Sequence, residues 1–444
     1  MNILIAASPL TGHVNPLISL TRLLTGSGNK VKAVCASTFR EGFIDAGAEF
    51  YPFPCSIDRD FNDLYSAFPE REGYPVGPER LCYDFKRVFL DQIEEQYITL
   101  INALEHFQAD VIICDSFYMG TLPVLLSGNA DFPPVIHHGI TILPLPREDG
   151  APFTGPGLPP ASNEEERKRY SQIGESVSEL FSLPLQEYLN RILRKMNCPV
   201  LDIPLLDAMV TLPALYLQPS VSSFEYDLFD LPSTVRFTGL LPLSTSEELP
   251  EGLKERLRQA DKVVLVTQGT LANLDFEQLI VPAIRALSGH ENTLVIVTTG
   301  HRPPVELPHP LPENVYAAPF VCYARLMPEV SLVITNGGYG TVSQALVHGV
   351  PLVVAGMTEE KAEIGARVAW SGVGINLATS NPTAPAIEKA AITVLNSPSY
   401  TRQSKKIASE FAAINTPDVI TGLIEELMTR KFKDISPVGL NINM

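Results

Sequence analysis

"SLVITNGGYGTVSQALVHGVPLVVAGM", residues 331–357, is the stretch on which the fold is decided. An apolar run, "LVI", breaks at a turn holding three glycines, passes into a helical pattern and returns as a second apolar run, "PLVVAG". Continuous apolar runs ending in polar residues suit parallel strands buried on both faces, and strand–helix–strand is how such strands are joined. Between Val330 and Thr358 there is no Asp, Glu, Lys or Arg, yet Gly, Asn and Pro interrupt repeatedly. The stretch therefore reads as a buried core segment, because a membrane helix would be more uniformly apolar.

The same grammar runs outward on both sides. Upstream lie "DKVVLVTQGT" (261–270), "NTLVIVTTG" (292–300) and "ENVYAAPF" (313–320), with helical patterns between them. The first half repeats it with "NILIAAS" (2–8), "KVKAVCAS" (30–37), the short strand "EFYPFP" (49–54), "ADVIICDS" (109–116) and "PPVIHHGI" (133–140). Leu17, Leu20, Leu23 and Leu24 share one helical face after the first strand, and a further helix is expected near Thr38–Ala46. The prediction is an α/β protein with two Rossmann-like, doubly wound parallel-sheet domains facing each other across a cleft. A chain of 444 residues exceeds one ordinary core. The non-periodic "STSEELPEG" (244–252) reads as the linker. Residues 1–240 are expected to form the N-terminal domain, 241–415 the second, and 416–444 a helix and tail packing back on the first. Pro144–Arg169, rich in Pro, Gly and charge, reads as a long surface loop, with helix over 171–196.

Composition narrows the function. The chain carries 50 Asp and Glu against 33 Lys and Arg, a net −17, which excludes the basic face that nucleic acid requires. A small phosphorylated ligand remains possible. Six scattered cysteines without a CxxC pair read as buried thiols, not a zinc site. "MNILIAAS" lacks a basic n-region, so a cytoplasmic protein without an integral membrane segment is expected.

In open α/β sheets ligands collect at the carboxyl ends of strands, so residues just after strands are the candidates. In "TNGGYGT", Gly337, Gly338 and Gly340 let backbone approach a ligand, the next helix offers free N–H groups to an anion, and Thr341 adds a hydroxyl. A plain strand–helix turn needs one glycine and seldom three. Gly269 and Thr270 follow another strand of the same domain, so two loops are available for two phosphates. "AGMTEEKAEIGARV" (355–368) brings Glu359, Glu360, Lys361 and Glu363 after a third strand. Such a charged face is ordinarily solvated, but carboxylates there also suit hydrogen bonds from sugar hydroxyls. In the first half His13 and Asp115 both follow strands. A lone loop histidine is ordinarily a satisfied polar side chain; a carboxylate behind it makes a general base. His137 and His138 are expected to line the cleft, and Asp58 with Asp60 to form a solvated turn. "SPLTGH" (8–13) is no G-x-G-x-x-G dinucleotide fingerprint, and G-x-S-x-G is absent.

Together these residues resemble the UDP-sugar-dependent glycosyltransferases of the GT-B fold, which act on small lipophilic acceptors. The resemblance spans nearly the whole chain and is strongest over Phe320–Trp370, at "GHVNP" (12–16) and at "CDSF" (114–117), with the microbial branch closest. It implies His13 as the base that deprotonates the acceptor, with Asp115 as its partner. It implies that Gly338, Gly340 and Thr341, helped by Gly269 and Thr270, hold the donor diphosphate, with one phosphate contact at Asn336, and that Gly12 and Gly337 also belong to the donor site. Gln344 falls on the ribose position, Glu360 and Lys361 on the sugar hydroxyls, and Phe320 with Val321 on the uracil. Phe85, His137 and His138 fall on the acceptor side, in or near loops 55–90 and 144–170. The sequence departs from the family at Asn336, where a histidine is usual, at Lys361, where glutamine is usual, and in "FVCYARLMP" (320–328), which lacks Pro-Gln. The implied reaction is inverting transfer of a hexose, glucose by default, from UDP. The UDP-sugar is a co-substrate, no cofactor or metal is expected, and the protein should be a monomer or weak dimer. The alternatives are a non-catalytic nucleotide-sugar-binding protein, which the pairing of His13 with Asp115 argues against, and a nicotinamide-dependent oxidoreductase, which the first loop, "SPLTGH", disfavours.

Overall fold

Apolar runs become strands where both faces can be covered. The computed structural model describes residues 1–59, 61, 64–227, 231–243, 247–270 and 273–435, and among these the strands form two parallel sheets. The first comprises β1 (Asn2–Ala6), β2 (Lys30–Cys35), β3 (Glu49–Pro52), β4 (Val111–Asp115), β5 (Val135–His138), β6 (Leu215–Gln218) and β7 (Val235–Phe237). Its order is β3-β2-β1-β4-β5-β6-β7, with every neighbouring pair parallel. The second comprises β8 (Lys262–Thr267), β9 (Thr293–Thr298), β10 (Val315–Ala318), β11 (Leu332–Thr335), β12 (Leu352–Val354) and β13 (Gly374–Asn376). Its order is β10-β9-β8-β11-β12-β13, again parallel.

Side chains alternate across each sheet because the strand period is two. Ile3 and Ile5 enter one apolar layer and Leu4 and Ala6 the opposite one. Val263 and Leu265 are likewise divided from Val264 and Val266. The strand order reverses between β1 and β4, and between β8 and β11. These two switch points are where an open sheet leaves a crevice at its carboxyl edge.

Four helices matter for the site: α1 (Thr11–Gly26), α2 (Tyr339–Val347), α3 (Lys361–Trp370) and α4 (Thr416–Ile435). Helix α4 returns from the second sheet to the first, where Ile420, Ile424 and Met428, spaced at i, i+4 and i+8, enter the same layer as Leu17 and Leu20 of α1. Each such buried side chain contributes about 1.5–3 kcal/mol. The halves also share apolar surface at their junction, since Ile142, Val221 and Phe224 pack with Leu326, Val342 and Ile364.

The strands β6, β7 and β13 carry no clear sequence signal: β6 lies between Pro213 and Pro219, and the three residues of β7 and of β13 each include a polar one. The stretch 144–169 departs from the expected surface loop. Helix begins at Glu164, its N-terminus capped by the Asn163 side chain. Before it, Arg147 draws the loop onto itself by donating to the carbonyls of Leu158 (2.5 Å) and Pro159 (3.0 Å) and to Asp149 (2.6 Å), which leaves Leu145, Asp149, Ala151 and Thr154 buried. Helix 171–196 is divided by a π-helical turn at Ser178–Ser182. Of the acidic pair expected in a solvated turn, Asp58 accepts from the Ser37 N–H (2.7 Å) and hydroxyl (2.6 Å), and Asp60 lies outside the described residues. Of the six cysteines, Cys35, Cys82, Cys114 and Cys322 are buried, Cys198 is half-buried and Cys55 is exposed. Among the described residues no helix is long and apolar enough to cross a membrane.

Candidate active site

At the first switch point, β1 leads into α1 and β4 ends at Asp115, so His13, in the first turn of α1, meets the carboxylate. His13 Nδ1 lies 2.9 Å from Asp115 Oδ1. The other carboxylate oxygen accepts the Ser8 N–H at 2.6 Å, and Oδ1 also accepts the Phe117 N–H at 3.0 Å. Burial alone would raise the Asp115 carboxyl. The charge and hydrogen bond of His13, with the two backbone N–H groups, more than offset it and hold the group below its ordinary value. An ionised Asp115 keeps the proton of a neutral His13 on Nδ1, which leaves Nε2, on the far edge of the ring, as the basic nitrogen.

Aromatic rings fix that orientation. Phe89 stacks on the imidazole with centroids 5.6 Å apart, and Phe117 meets it edge-on at 5.6 Å. Phe85 packs edge-on against both phenylalanines, at 5.5 and 5.4 Å, and against Phe181 at 5.2 Å. Phe85 and Phe89 reach this cluster from one π-helical turn, Phe85–Phe89. The sequence reading placed Phe85 here and missed Phe89 and Phe117, although Phe117 sits inside the "CDSF" motif.

His138 closes β5 directly beside Asp115 in the sheet register. Burial pushes its imidazole down to about 4, so it is neutral at neutral pH. His137 belongs to the packing rather than to the cleft lining. Its Nδ1–H donates to the Met209 carbonyl (2.7 Å), Nε2 stands 3.4 Å from the Thr121 hydroxyl, and burial likewise pushes it down to about 4. Strand alternation sends adjacent residues to opposite faces, so two consecutive histidines do not line one wall.

At the second switch point, Gly338 occupies the N-cap of α2 with no side-chain capping bond and no acidic residue in the first turn. The amides of that turn are thus open to an anion, and the helix dipole favours one. Gly340 is exposed and Thr341 half-buried beside it, while Gln344, one turn on, is buried. Gly337 has φ +93°, and a Cβ there would meet Val354 Cγ1 at 2.8 Å. Asn336 bridges the turn to the β8 loop, its Nδ2 donating to the Gln268 carbonyl at 2.6 Å. The β8 loop carries Gly269 and Thr270, and is held by Asn273 Nδ2, which donates to the carbonyls of Gly269 and Thr299, both at 3.1 Å. Residue 356 must be glycine for the turn to close, since a Cβ would stand 2.0 Å from the Asn336 carbonyl oxygen. Gly356→Ala is therefore expected to destabilise the fold by roughly 2–4 kcal/mol, read as a fall in the urea midpoint. An unchanged midpoint would contradict this packing. After β10, Phe320 is half exposed and stacks on His301, with centroids 5.2 Å apart and planes 7° from parallel, while Val321 is buried.

The expected sugar-side pair lies at the start of α3. Glu360 is its N-cap and Lys361 its first residue. Lys361, Glu363 and Arg367 are all buried, so this charged helix is not the solvated face that such a pattern ordinarily means. The Lys361 ammonium pairs with Glu359, a non-glycine residue at φ +50°. Burial disfavours that ammonium, but Glu359 and Glu360 outweigh it and hold the group above its ordinary value.

The two carboxyl edges face one another. Gln218, ending β6, donates from Nε2 to the Tyr339 hydroxyl at 2.7 Å and to the Thr141 carbonyl at 2.9 Å, which joins the first residue of α2 to the edge carrying Asp115 and His138. Neither Gln218 nor Tyr339 carried a sequence signal, because the bond spans 121 residues. The arrangement sets the His13 imidazole, held by Asp115, on one wall and an uncapped helix N-terminus on the other. Among the described residues no group of three or more His, Cys, Asp or Glu is placed to hold a metal ion.

Similarity to known proteins runs over most of the chain. The profile of the family described as "Erythromycin biosynthesis protein CIII-like, C-terminal domain" matches residues 287–427. UDP-glycosyltransferase 2 of Phaeomoniella chlamydospora is 33% identical over 437 residues, covering 96% of this chain and 95% of that protein. The 4'-demethylrebeccamycin synthase of Lentzea aerocolonigenes is 34% identical over 427 residues, covering 95% and 99%. Among solved structures, the glycotransferase of kitacinnamycin superposes with a TM-score of 0.72 at 18% identity, covering 96% of this chain and 98% of that one.

Proposed function

This chain belongs to the microbial UDP-glycosyltransferases of natural-product type, with the GT-B fold, and from that membership we propose how it carries out transfer. The donor is a UDP-hexose, glucose first among the candidates, and the acceptor is a hydroxyl on a small lipophilic molecule. The aromatic surroundings of His13 support an apolar acceptor.

The diphosphate rests on the first turn of α2, its oxygens taking the N–H groups after Gly338 and the Thr341 hydroxyl. The acceptor hydroxyl lies against Phe85, Phe89 and Phe117, with its proton on the line to His13 Nε2. As the acceptor oxygen bonds to the anomeric carbon, the proton passes to Nε2, the bond to the UDP oxygen breaks, and UDP leaves with the electron pair. Attack from the face opposite UDP inverts the anomeric carbon. Charge gathering on the leaving diphosphate is met by preorganised N–H dipoles, the role a cation fills elsewhere. The observation that carries this reading is the His13–Asp115 pair, 2.9 Å apart and walled by phenylalanines, because a sugar-binding protein without turnover has no use for an oriented base.

The test is a mass-spectrometric screen of UDP-glucose against mixed phenolic, terpenoid, sterol and lipid alcohols. Acceptor masses raised by one hexose, with release of UDP, support the reading. UDP binding without turnover on any acceptor would favour a non-catalytic binder. Thr341→Ala is expected to weaken UDP binding by about 10- to 100-fold, the loss of one hydrogen bond to a charged group, as measured by calorimetry. A variant that binds UDP as tightly as the unaltered protein would discredit the diphosphate position.

A further inference from the structure

The other half of the molecule grips the segment that carries Glu360 and Lys361 along its length. Glu363, in the first turn of α3, accepts the Gly157 N–H at 3.1 Å, and its second oxygen lies 4.0 Å from Arg147 Nη1 and 3.6 Å from Arg367 Nη1. Arg367 donates from Nε to Glu225 at 2.8 Å. The guanidiniums of Arg147 and Arg367 both approach the Tyr226 ring, at 4.7 and 4.2 Å from its centroid, and Trp370 meets that ring edge-on at 5.1 Å. Ahead of the helix, Arg71 Nη2 stands 3.8 Å from Glu359 and is itself fixed by two hydrogen bonds to Asp84, at 2.7 and 2.8 Å. Arg71, Arg147, Gly157 and Glu225 all come from the acceptor half, and all fasten on residues 359–367.

Buried ion pairs are poor sources of stability, since apolar side chains of equal volume do as well. What such a network supplies here is register between two halves. We propose that Glu363 is a positioning residue for transfer: by clasping the Arg147–Leu158 strap of the acceptor half, it fixes helix α3 and so sets where Glu360 and Lys361 meet the donor sugar. This rests on the sugar-side reading of those two residues given above.

The clasp needs Glu363 ionised. Burial pushes its carboxyl up to about 7, against the pull of Arg367, Arg147 and the N–H groups of Gly157 and Leu158. Asp149, Glu225 and Tyr226 are the titratable groups that face the two arginines, Asp149 on Arg147, Glu225 on Arg367 and Tyr226 against both. A carboxyl raised by folding contributes most to stability below its unfolded value near 4.5, and that contribution is lost as pH rises through 7. Removing its charge at pH 8 therefore does not weaken the fold, because Arg147 keeps Asp149 and Arg367 keeps Glu225. Stability and donor binding should part company.

The experiment is calorimetric titration of the full chain and of Glu363→Gln with UDP-glucose and with UDP, at pH 6 and pH 8, beside urea unfolding at pH 8. For the unaltered protein, affinity for UDP-glucose, whose phosphates do not titrate in this range, falls as pH drops from 8 to 6. For Glu363→Gln, the Kd of UDP-glucose at pH 8 rises about 10-fold and loses this pH dependence, while UDP affinity and the urea midpoint hold. Arg147→Met should share the UDP-glucose defect. If Glu363→Gln binds UDP-glucose as the unaltered protein does at both pH values, or loses UDP affinity and stability in equal measure, the clasp is overturned alone. An unaltered protein that fails to bind UDP overturns the donor reading and the clasp with it.

Discussion

Turnover of His13→Ala should fall by roughly 10²- to 10⁴-fold, the usual contribution of a positioned base, with UDP affinity unchanged. The split follows from where the ring sits. His13 belongs to the first half, its Nδ1 on Asp115 and its ring against Phe89 and Phe117, whereas the proposed diphosphate site is the first turn of α2 in the second half. Alanine leaves a space among phenylalanines and no group to take the acceptor's proton. An acceptor that ionises near neutral pH should lose less than one that does not, since it arrives partly deprotonated. Unaltered turnover on both would remove His13 from the mechanism.

Asp115→Asn should cost turnover on a similar scale, about 10²- to 10⁴-fold, because an amide can donate to Nδ1 and stabilise the wrong tautomer. It should also cost stability. The carboxylate accepts from the ring, from Ser8 and from Phe117, and an amide has a single oxygen to offer all three. The sign of the pH dependence follows from the lowered carboxyl. Stability from Asp115 is present above its unfolded value near 4 and is lost as pH falls through the folded one. The gap in urea midpoint between the variant and the unaltered protein should therefore be open at pH 7 and narrow below about pH 4. A gap that stays constant would show that the charge of Asp115 is not what the surrounding donors hold.

The parts of this protein that could be read in one dimension are those whose physics is local. Parallel strands buried on both faces appear as unbroken apolar runs, so β1, β4, β8 and β11 were legible, and with them both switch points. The "TNGGYG" turn was legible because three glycines exceed what a tight turn needs. The strands β6 and β13 were not, the one lying between two prolines and the other holding a single apolar residue, and without β6 there was no reason to single out Gln218. The phenylalanine wall was half visible: Phe117 sits two residues after Asp115, but nothing in 85–92 announces the π-helical turn that carries Phe89. The interdomain charges were invisible as a set. Glu225 and Arg367 are 142 residues apart, and Gly157 and Glu363 are 206 apart, so a charged helix and a proline-rich loop each looked solvated until the fold brought them together.

The central claim is that a base on one wall faces a diphosphate held by the helix terminus on the other, and a crystal structure of His13→Ala with intact UDP-glucose tests it most directly. Diphosphate oxygens within hydrogen-bonding distance of the α2 first-turn amides and Thr341, with the anomeric carbon turned toward residue 13, are the predicted result. A diphosphate bound away from that turn, or a sugar pointing away from residue 13, would contradict it.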